Sequence, residues 1–195
     1  MTVSRTTLII PTYKAKDNLE ACVNAIRSHT DDPYEIIIID NGSNDGTDDY
    51  CRKERLTMVS LPWNHTFHSA CNFGLKLSVG DNLLILKHNV LVSPHWLSEM
   101  LQCLYSEDDI GIVRPLLGPA TGNLKVTEGQ LNENDPGVCI LFKRDLLQKV
   151  GFLQKSRMYG DHDHVFDDYC SRARDAGYRW MVAGNVTLNI DYAHL

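Results

Sequence analysis

The chain alternates short apolar runs with longer stretches in which apolar residues recur every three or four positions. The run at residues 36–39 is four isoleucines long, which is typical of a buried parallel strand covered on both faces. The longer stretches have the period of amphipathic helices. The pattern predicts strands at residues 6–10, 34–39, 56–61, 82–86, 110–114, 137–141 and 178–183, and helices at residues 17–28, 48–55, 69–78, 96–105, 144–150 and 167–176.

This alternation of strands and helices predicts an α/β fold with a mostly parallel central sheet and helices on both faces. In such sheets, ligands bind at the carboxyl ends of the strands. Three loops of the first half follow predicted strand ends, at residues 11–13, 40–47 and 87–89. Residues 116–137 are punctuated by glycine and proline, so we expect a loop-rich excursion there, with a β-ribbon as one form of it.

The chain has 195 residues and a formal net charge of −6. This length suits one domain with a sizeable core. The acidic balance argues against a general nucleic-acid-binding protein. No apolar run is long enough for a membrane helix, and the N-terminus lacks the apolar segment of a signal peptide. We therefore expect a cytoplasmic protein, either free or peripheral at a membrane, whose six cysteines are buried thiols.

Several short motifs follow one another in a fixed order. They are the segments 9–13 (IIPTY), 35–43 (EIIIIDNGS) and 45–47 (DGT), the spaced set Asn64, Phe67, Ala70, Asn72 and Gly74, the pair Gly80-Asp81, and the segments 137–144 (GVCILFKR), 168–174 (DYCSRAR) and 176–178 (AGY). In this order they resemble the family 2 glycosyltransferases, from residue 7 to residue 186. The resemblance implies a GT-A (Rossmann-like) fold in a single domain. Residues 1–114 would form the nucleotide-sugar-binding half, and residues 115–195 a small, loop-rich acceptor-side half.

The resemblance also implies a reaction, in which an inverting enzyme moves a sugar from a nucleotide-diphosphate sugar to an acceptor hydroxyl. The acceptor class stays open between a carbohydrate, a lipid-linked compound and a peptide. The residues implied for nucleotide-sugar binding are Pro11, Thr12, Tyr13, Asp40, Asn41, Asn72, Lys87 and His88.

Two of these residues have alternative interpretations. A carboxylate at a strand end accepts hydrogen bonds well, so Asp40 is expected to bind the base or ribose. The alternative is that Asp40 stabilises an Asx-type turn ahead of Asn41. Asn72 is expected either to close its own loop or to face the diphosphate. The segment 45–47 is interpreted more simply as a turn and helix cap.

Two departures from the family pattern concern the metal. The family ends its fourth strand in an aspartate that holds Mg²⁺ or Mn²⁺ on the donor diphosphate, whereas this chain has Asn89 there. Asn89 is a weak candidate ligand, His88 is a further candidate for Mn²⁺, and Lys87 is an alternative positive charge for the phosphates. The family's late histidine is matched by Asn189, and His194 is a second weak candidate. We expect weak or absent metal use. The alternative for residues 87–89 is that all three are merely surface loop residues without a role in the site.

The third departure concerns the catalytic base, a carboxylate that takes the proton of the acceptor hydroxyl. The family's acidic pair would fall on residues 165–166, which are apolar here, and acidic residues lie on either side. The candidates are Asp167, Asp163 and Asp168, in that order. Asp161 or Asp163 supplies the base if residues 162–165 form a short insertion. The alternative is that these acids only stabilise a helix N-terminus through its dipole.

Two functions of different classes are compatible with the sequence. The first is an active inverting glycosyltransferase, and the second is a catalytically weak or inactive nucleotide-sugar-binding or scaffold module of the same fold. The metal dependence of nucleotide binding, followed by donor hydrolysis, separates them. A nucleotidyltransferase is a third hypothesis, but residues 11–14 lack the Gly-rich, basic signature that it needs near the first strand.

Overall fold

A computed structural model of the protein describes residues 4–117, 127–128, 137–155 and 164–191. The strands in these residues are β1 (Thr6–Thr12), β2 (Tyr34–Asp40), β3 (Thr57–Ser60), β4 (Asn82–Leu86), β5 (Val90–Leu91), β6 (Ile110–Leu117), β7 (Thr127–Glu128), β8 (Cys139–Lys143) and β9 (Arg179–Ile190). The helices are α1 (Lys16–His29), α2 (Thr47–Lys53), α3 (Phe67–Leu77), α4 (Trp96–Leu104), α5 (Arg144–Val150) and α6 (Val165–Asp175).

The strands follow the order β3-β2-β1-β4-β8-β6-β9-β5, and β7 pairs with β9 outside this path. The four strands β1 to β4 are parallel, and so are β6 and β9. β8 lies between β4 and β6 and is antiparallel to both. The short strands β5 and β7 are antiparallel to β9. The predicted α/β fold with a mostly parallel sheet is therefore confirmed.

The central strands bury both of their faces. On β1, Leu8 and Ile10 pack into an apolar layer with α1, α2 and α4, whereas Ile9 packs into a second layer with α3, α5 and α6. None of these three side chains has exposed surface. Successive side chains of a strand point to opposite faces, so a strand covered on both faces needs an uninterrupted apolar run. The prediction of helices on both faces is confirmed.

Helix α3 lies close to β1 because it has a glycine at the contact. A Cβ atom built on Gly74 would lie 2.3 Å from Cγ2 of Ile9. Real Cβ atoms do not approach other atoms that closely, so a side chain here would push the helix away from the sheet. The close approach holds the first turn of α3, with Phe67 and Ala70, beside the carboxyl end of β1.

Several strand boundaries differ from the sequence prediction, and those of β1 and β9 bear on the candidate site. β1 continues through Pro11 to Thr12, because its pairing with β4 stops at Ile9 and Pro11 has β2 alone as a neighbour. Proline is tolerated at such an edge, where its missing N–H breaks no ladder bond. β9 runs seven residues beyond its predicted end at residue 183, since its second half pairs with β5 and β6. Asn189 therefore lies inside β9 opposite Leu91, and not after the last strand.

The predicted excursion at residues 116–137 is only partly within the described residues. These include the end of β6 and the two residues of β7, which pair with β9. All six cysteines are buried, as expected. Among the residues that the structure describes, no helix is both long and apolar enough to cross a membrane.

Candidate functional site

A cleft of about 360 Å³ opens at the carboxyl ends of β1, β2 and β4. Its lining comes from these strand ends, from the β3–α3 connection and from the first turn of α3. The described lining residues are Pro11, Thr12, Tyr13, Asn41, Asn64, His65, Phe67, Ala70, Lys87, His88 and Asn89. The cleft thus brings together the loops at residues 11–13 and 87–89, at the edge of the sheet where the topology predicts a ligand.

The ends of β1 and β2 are tied together beside the cleft. The Asn41 N–H donates to the Thr12 carbonyl over 2.8 Å, and the Lys14 N–H donates to the Ser43 hydroxyl over 2.8 Å. Tyr13 stands between these bonds, and 37 % of its surface is exposed. An exposed aromatic ring on a fixed backbone can stack on a planar ring such as a nucleobase.

Asp40 lies at the end of β2 but is not among the described residues that line the cleft. Only 2 % of its surface is exposed. One carboxylate oxygen accepts the Ser43 N–H at 3.1 Å, and the other accepts the Ser60 hydroxyl at 3.2 Å. This arrangement has the geometry of the turn-stabilising alternative, and base or ribose binding by Asp40 stays a prediction.

Asn41 lines the cleft and also holds the β3–α3 connection. Its amide nitrogen donates to the Asn64 side chain at 2.7 Å and to the His65 carbonyl at 2.8 Å, while its oxygen accepts the His65 N–H at 2.8 Å. The His65 ring in turn stacks on exposed Trp63, with 5.3 Å between the ring centroids. The sequence interpretation missed Asn64, His65 and Phe67 as lining residues. The available signal was the motif at residues 64–74 that contains two of them.

Asn72 is not among the described residues that line the cleft. Its amide donates to the Leu153 carbonyl at 2.9 Å and its oxygen accepts the Leu153 N–H at 3.0 Å. A role of Asn72 toward the diphosphate stays a prediction. Arg172 holds the same loop through the carbonyls of Val150 and Phe152. Asn72 therefore fastens α3 to the loop that follows α5.

Lys87 directly follows β4, and its backbone is held on both sides. Its N–H donates to the Val138 carbonyl at 2.9 Å, and its carbonyl accepts the Val90 N–H at 3.3 Å. The ammonium group lies 5.5 Å from the ring centroid of Phe67, which belongs to the first turn of α3. A cation on a fixed backbone therefore extends along the cleft from β4 towards α3.

His88 is held by β1. Its Nδ1 lies 3.1 Å from the Pro11 carbonyl oxygen. Burial lowers the pKa of His88, the contact with Pro11 opposes this change, and the nearby charge of Lys87 adds to it. The ring is therefore neutral at pH 7. Because a carbonyl only accepts hydrogen bonds, Nδ1 carries the proton and Nε2 is left as an acceptor.

The donor set of the cleft fits a divalent cation poorly. Mg²⁺ and Mn²⁺ prefer carboxylate oxygens, and none of the described lining residues is Asp or Glu. Asn89 and His88 could supply only uncharged atoms as metal ligands. Within the described part of the chain, no group of three or more His, Cys, Asp and Glu side chains is arranged to hold a metal. Asn189 is an exposed residue of β9, and His194 lies outside the described residues.

Asp167 lies in the first turn of α6 and forms a buried ion pair. Its Oδ1 is 2.7 Å from a terminal nitrogen of Arg114 on β6, and the two side chains are 7 % and 3 % exposed. Its Oδ2 is 2.9 Å from Nδ1 of His164. The sequence interpretation missed both partners: Arg114 precedes Asp167 by 53 residues, whereas His164 precedes it by only three.

The other candidate bases are placed differently. Asp168 lies within α6 and pairs with Arg172 one helical turn later, at 2.8 Å. Asp161 and Asp163 lie outside the described residues. The start of α6 is near the cleft, because the Phe166 ring is 5.8 Å from the Phe67 ring. Which of these acids acts as a base stays a prediction.

Comparison with known proteins identifies relatives. The family model described as Glycosyl transferase family 2 matches residues 7–116. Glycosyltransferase AglE of Haloferax volcanii is 26 % identical over 199 residues, which cover 92 % of this chain and 64 % of that protein. A putative glycosyltransferase, EpsH of Bacillus subtilis, is 24 % identical over 54 % of this chain and 32 % of its own length. An uncharacterized glycosyltransferase of Haemophilus influenzae is 22 % identical over 83 % of this chain and 55 % of its own length.

Two solved structures share the fold. The mannosyltransferase PcManGT from Pyrobaculum calidifontis, in complex with GDP-Man and Mn²⁺, has a TM-score of 0.78 at 20 % identity and matches all of this chain. TarS 1–349 from S. aureus has a TM-score of 0.74 at 15 % identity and matches 96 % of it. The chain covers 59 % and 60 % of these two proteins. It thus spans less than two-thirds of each relative described here.

Proposed function

Because the chain belongs to glycosyl transferase family 2, we propose that it moves a sugar from a nucleotide-diphosphate sugar to an acceptor hydroxyl, with inversion at the anomeric carbon. The observation that carries the proposal is the cleft at the ends of β1, β2 and β4, where Tyr13, Lys87 and His88 meet. An aromatic ring, a cation and a neutral imidazole match the base, the diphosphate and the hydroxyl groups of such a donor. GDP-Man in the PcManGT complex supports a donor of this class.

The proposed reaction is a single in-line displacement. The acceptor oxygen forms a bond to the anomeric carbon as the bond from that carbon to the β-phosphate oxygen breaks. The electron pair of the broken bond leaves with the nucleoside diphosphate, and the proton of the acceptor hydroxyl goes to a carboxylate. Attack from the side opposite the leaving group inverts the anomeric centre. We assign the carboxylate to the acidic residues between positions 161 and 168, of which the described ones, Asp167 and Asp168, lie at the start of α6 near the cleft.

A ligand screen tests the donor. Thermal unfolding is followed with nucleoside diphosphates and their sugars, each with Mn²⁺ and with EDTA, because a bound ligand stabilises the folded state. We expect diphosphates of one or two bases to raise Tm, and the matching nucleotide sugar to be hydrolysed slowly without acceptor. If no nucleotide raises Tm and none is hydrolysed, the proposed function is wrong.

Conservative variants test the base. Asp163→Asn, Asp167→Asn and Asp168→Asn keep volume but remove basicity, and exposed Asp48→Asn on α2 is the control. One of the three should lose transfer by about 10²–10⁴-fold while nucleotide affinity is unchanged. If all three variants transfer the sugar at the wild-type rate, none of these three aspartates is the base.

A nucleotide-sugar-binding module without transfer activity is the second candidate function. It is favoured by Asn89, which stands where the family has an acidic residue, and by the lack of a carboxylate among the described lining residues. This function predicts the same Tm increases in the screen, but neither hydrolysis nor transfer with any donor.

A further inference from the structure

The family resemblance implies a divalent cation on the donor diphosphate, and the described residues of the cleft do not suit one. Such a cation has two functions: it holds the diphosphate, and it stabilises the negative charge that the leaving group gains. The Asn89 side chain carries no negative charge to hold a metal, and Nε2 of His88 could supply only one uncharged ligand atom. The positively charged side chain among the described lining residues is that of Lys87, which lies two residues before Asn89.

We propose that the Lys87 ammonium group performs the role of the metal. It binds the diphosphate of the donor and stabilises the charge that the departing nucleoside diphosphate acquires, so donor binding and transfer need no divalent cation. The Lys87 side chain stays protonated throughout and exchanges no proton with the substrate. This inference rests on the proposed function, because it assigns a role in binding the same donor.

The position of Lys87 supports this role. β4 is a central strand, and its carboxyl end lies beside that of β1, so the residue after β4 lines the cleft. Main-chain bonds to Val138 and Val90 fix the Cα position of Lys87. A group that must meet a phosphate in the transition state works best when its position is set before the ligand arrives.

The surroundings of the ammonium group suit an anion. The face of the Phe67 ring attracts a cation weakly, and this contact directs the ammonium group along the cleft towards α3. The ammonium group has three donors and acts as a point charge, which is a common way for proteins to bind phosphate.

Calorimetric titration of the full chain tests the proposal. The probes are UDP, GDP, ADP, CDP and dTDP, each compared with its own nucleoside, and every titration is run in EDTA and again with Mn²⁺. The variants are Lys87→Met, which removes the charge, and Lys87→Arg, which keeps it. Lys76→Met is the matched control, because Lys76 also lies over a phenylalanine ring, that of Phe73, but is exposed on α3 away from the described lining.

We expect the wild-type protein to bind one nucleoside diphosphate with a Kd that changes less than about twofold between EDTA and Mn²⁺, a difference small beside the tenfold that 1.4 kcal/mol produces. Lys87→Met should raise the Kd of that diphosphate by about tenfold or more and leave the Kd of the nucleoside unchanged, since only the phosphate contact is lost. Lys87→Arg should retain most of the affinity, and Lys76→Met all of it. Thermal unfolding of each variant checks that it is folded.

Two results would overturn the proposal and leave the proposed function standing. The first is wild-type binding that disappears in EDTA and returns with Mn²⁺. The second is a folded Lys87→Met variant with wild-type affinity for the diphosphate. If the wild-type protein binds none of the five diphosphates with or without Mn²⁺, the proposed function and the role of Lys87 are both wrong.

Discussion

Replacement of Asp167 by Asn should destabilise the folded protein substantially, because it removes the negative charge from a buried ion pair. Asp167 and Arg114 are 7 % and 3 % exposed and 2.7 Å apart. The amide oxygen of Asn can still accept a hydrogen bond from Arg114. What the substitution removes is the negative charge that strengthens the two hydrogen bonds, to Arg114 and to His164. Buried hydrogen bonds to charged groups contribute about 1.5–3 kcal/mol each, and we expect a loss of about 2–3 kcal/mol in the free energy of unfolding.

A second pair with the same distance provides the control. Asp48 and Arg52 on α2 are also 2.7 Å apart, but their side chains are 60 % and 68 % exposed. Exposed pairs one helical turn apart contribute about 0.3–0.5 kcal/mol. Asp48→Asn should therefore change the stability by no more than that amount, although the atoms are as close as in the buried pair. The comparison isolates burial as the cause.

Urea unfolding measures the difference. With a slope of about 1–3 kcal/mol per molar urea, Asp167→Asn should lower the midpoint by about 1 M, and Asp48→Asn by far less. A double-mutant cycle of Asp167→Asn with Arg114→Met should show a coupling of about 1–3 kcal/mol. Equal midpoints for the two single variants, or a coupling near zero, would refute the argument that this pair stabilises the fold. Transfer by Asp167→Asn has to be assayed below its own unfolding temperature, so that lost stability is not mistaken for a lost base.

Three further predictions concern the cleft and the helix beside it. Asp40→Ala should weaken nucleoside-diphosphate binding by about 1–3 kcal/mol in calorimetry if its carboxylate contacts the base or ribose, and unchanged affinity would remove Asp40 from the site. Asn89→Asp restores a carboxylate and should make Mn²⁺ bind more tightly in a metal titration; tight Mn²⁺ binding by the unchanged protein would contradict our interpretation of the donor set. Gly74→Ala should cost about 1–3 kcal/mol in urea unfolding, because its Cβ would collide with Ile9, whereas Ser69→Ala on the same helix should cost little.

The sequence by itself determined the succession of the longer strands and helices along the chain and the location of the cleft. A strand buried on both faces needs an uninterrupted apolar run, and an amphipathic helix needs apolar residues every three or four positions. Both patterns can therefore be recognised in a short stretch of sequence. Once the first four strands are known to be parallel, their carboxyl ends share an edge. The grouping of Tyr13, Lys87 and Asn89 at one cleft followed from that rule.

Only the tertiary structure decided which side chains are used to hold the fold. Asn72 bonds to Leu153, 81 residues away, and Asp167 bonds to Arg114, 53 residues away. Asn189 lies within a strand because distant β5 pairs with it. No local pattern records such partners, since each contact depends on how helices pack on the sheet and how strand ends pair across it. A polar residue near a predicted site can therefore be read as a ligand contact until the packing shows its partner, because burial of a polar group requires one.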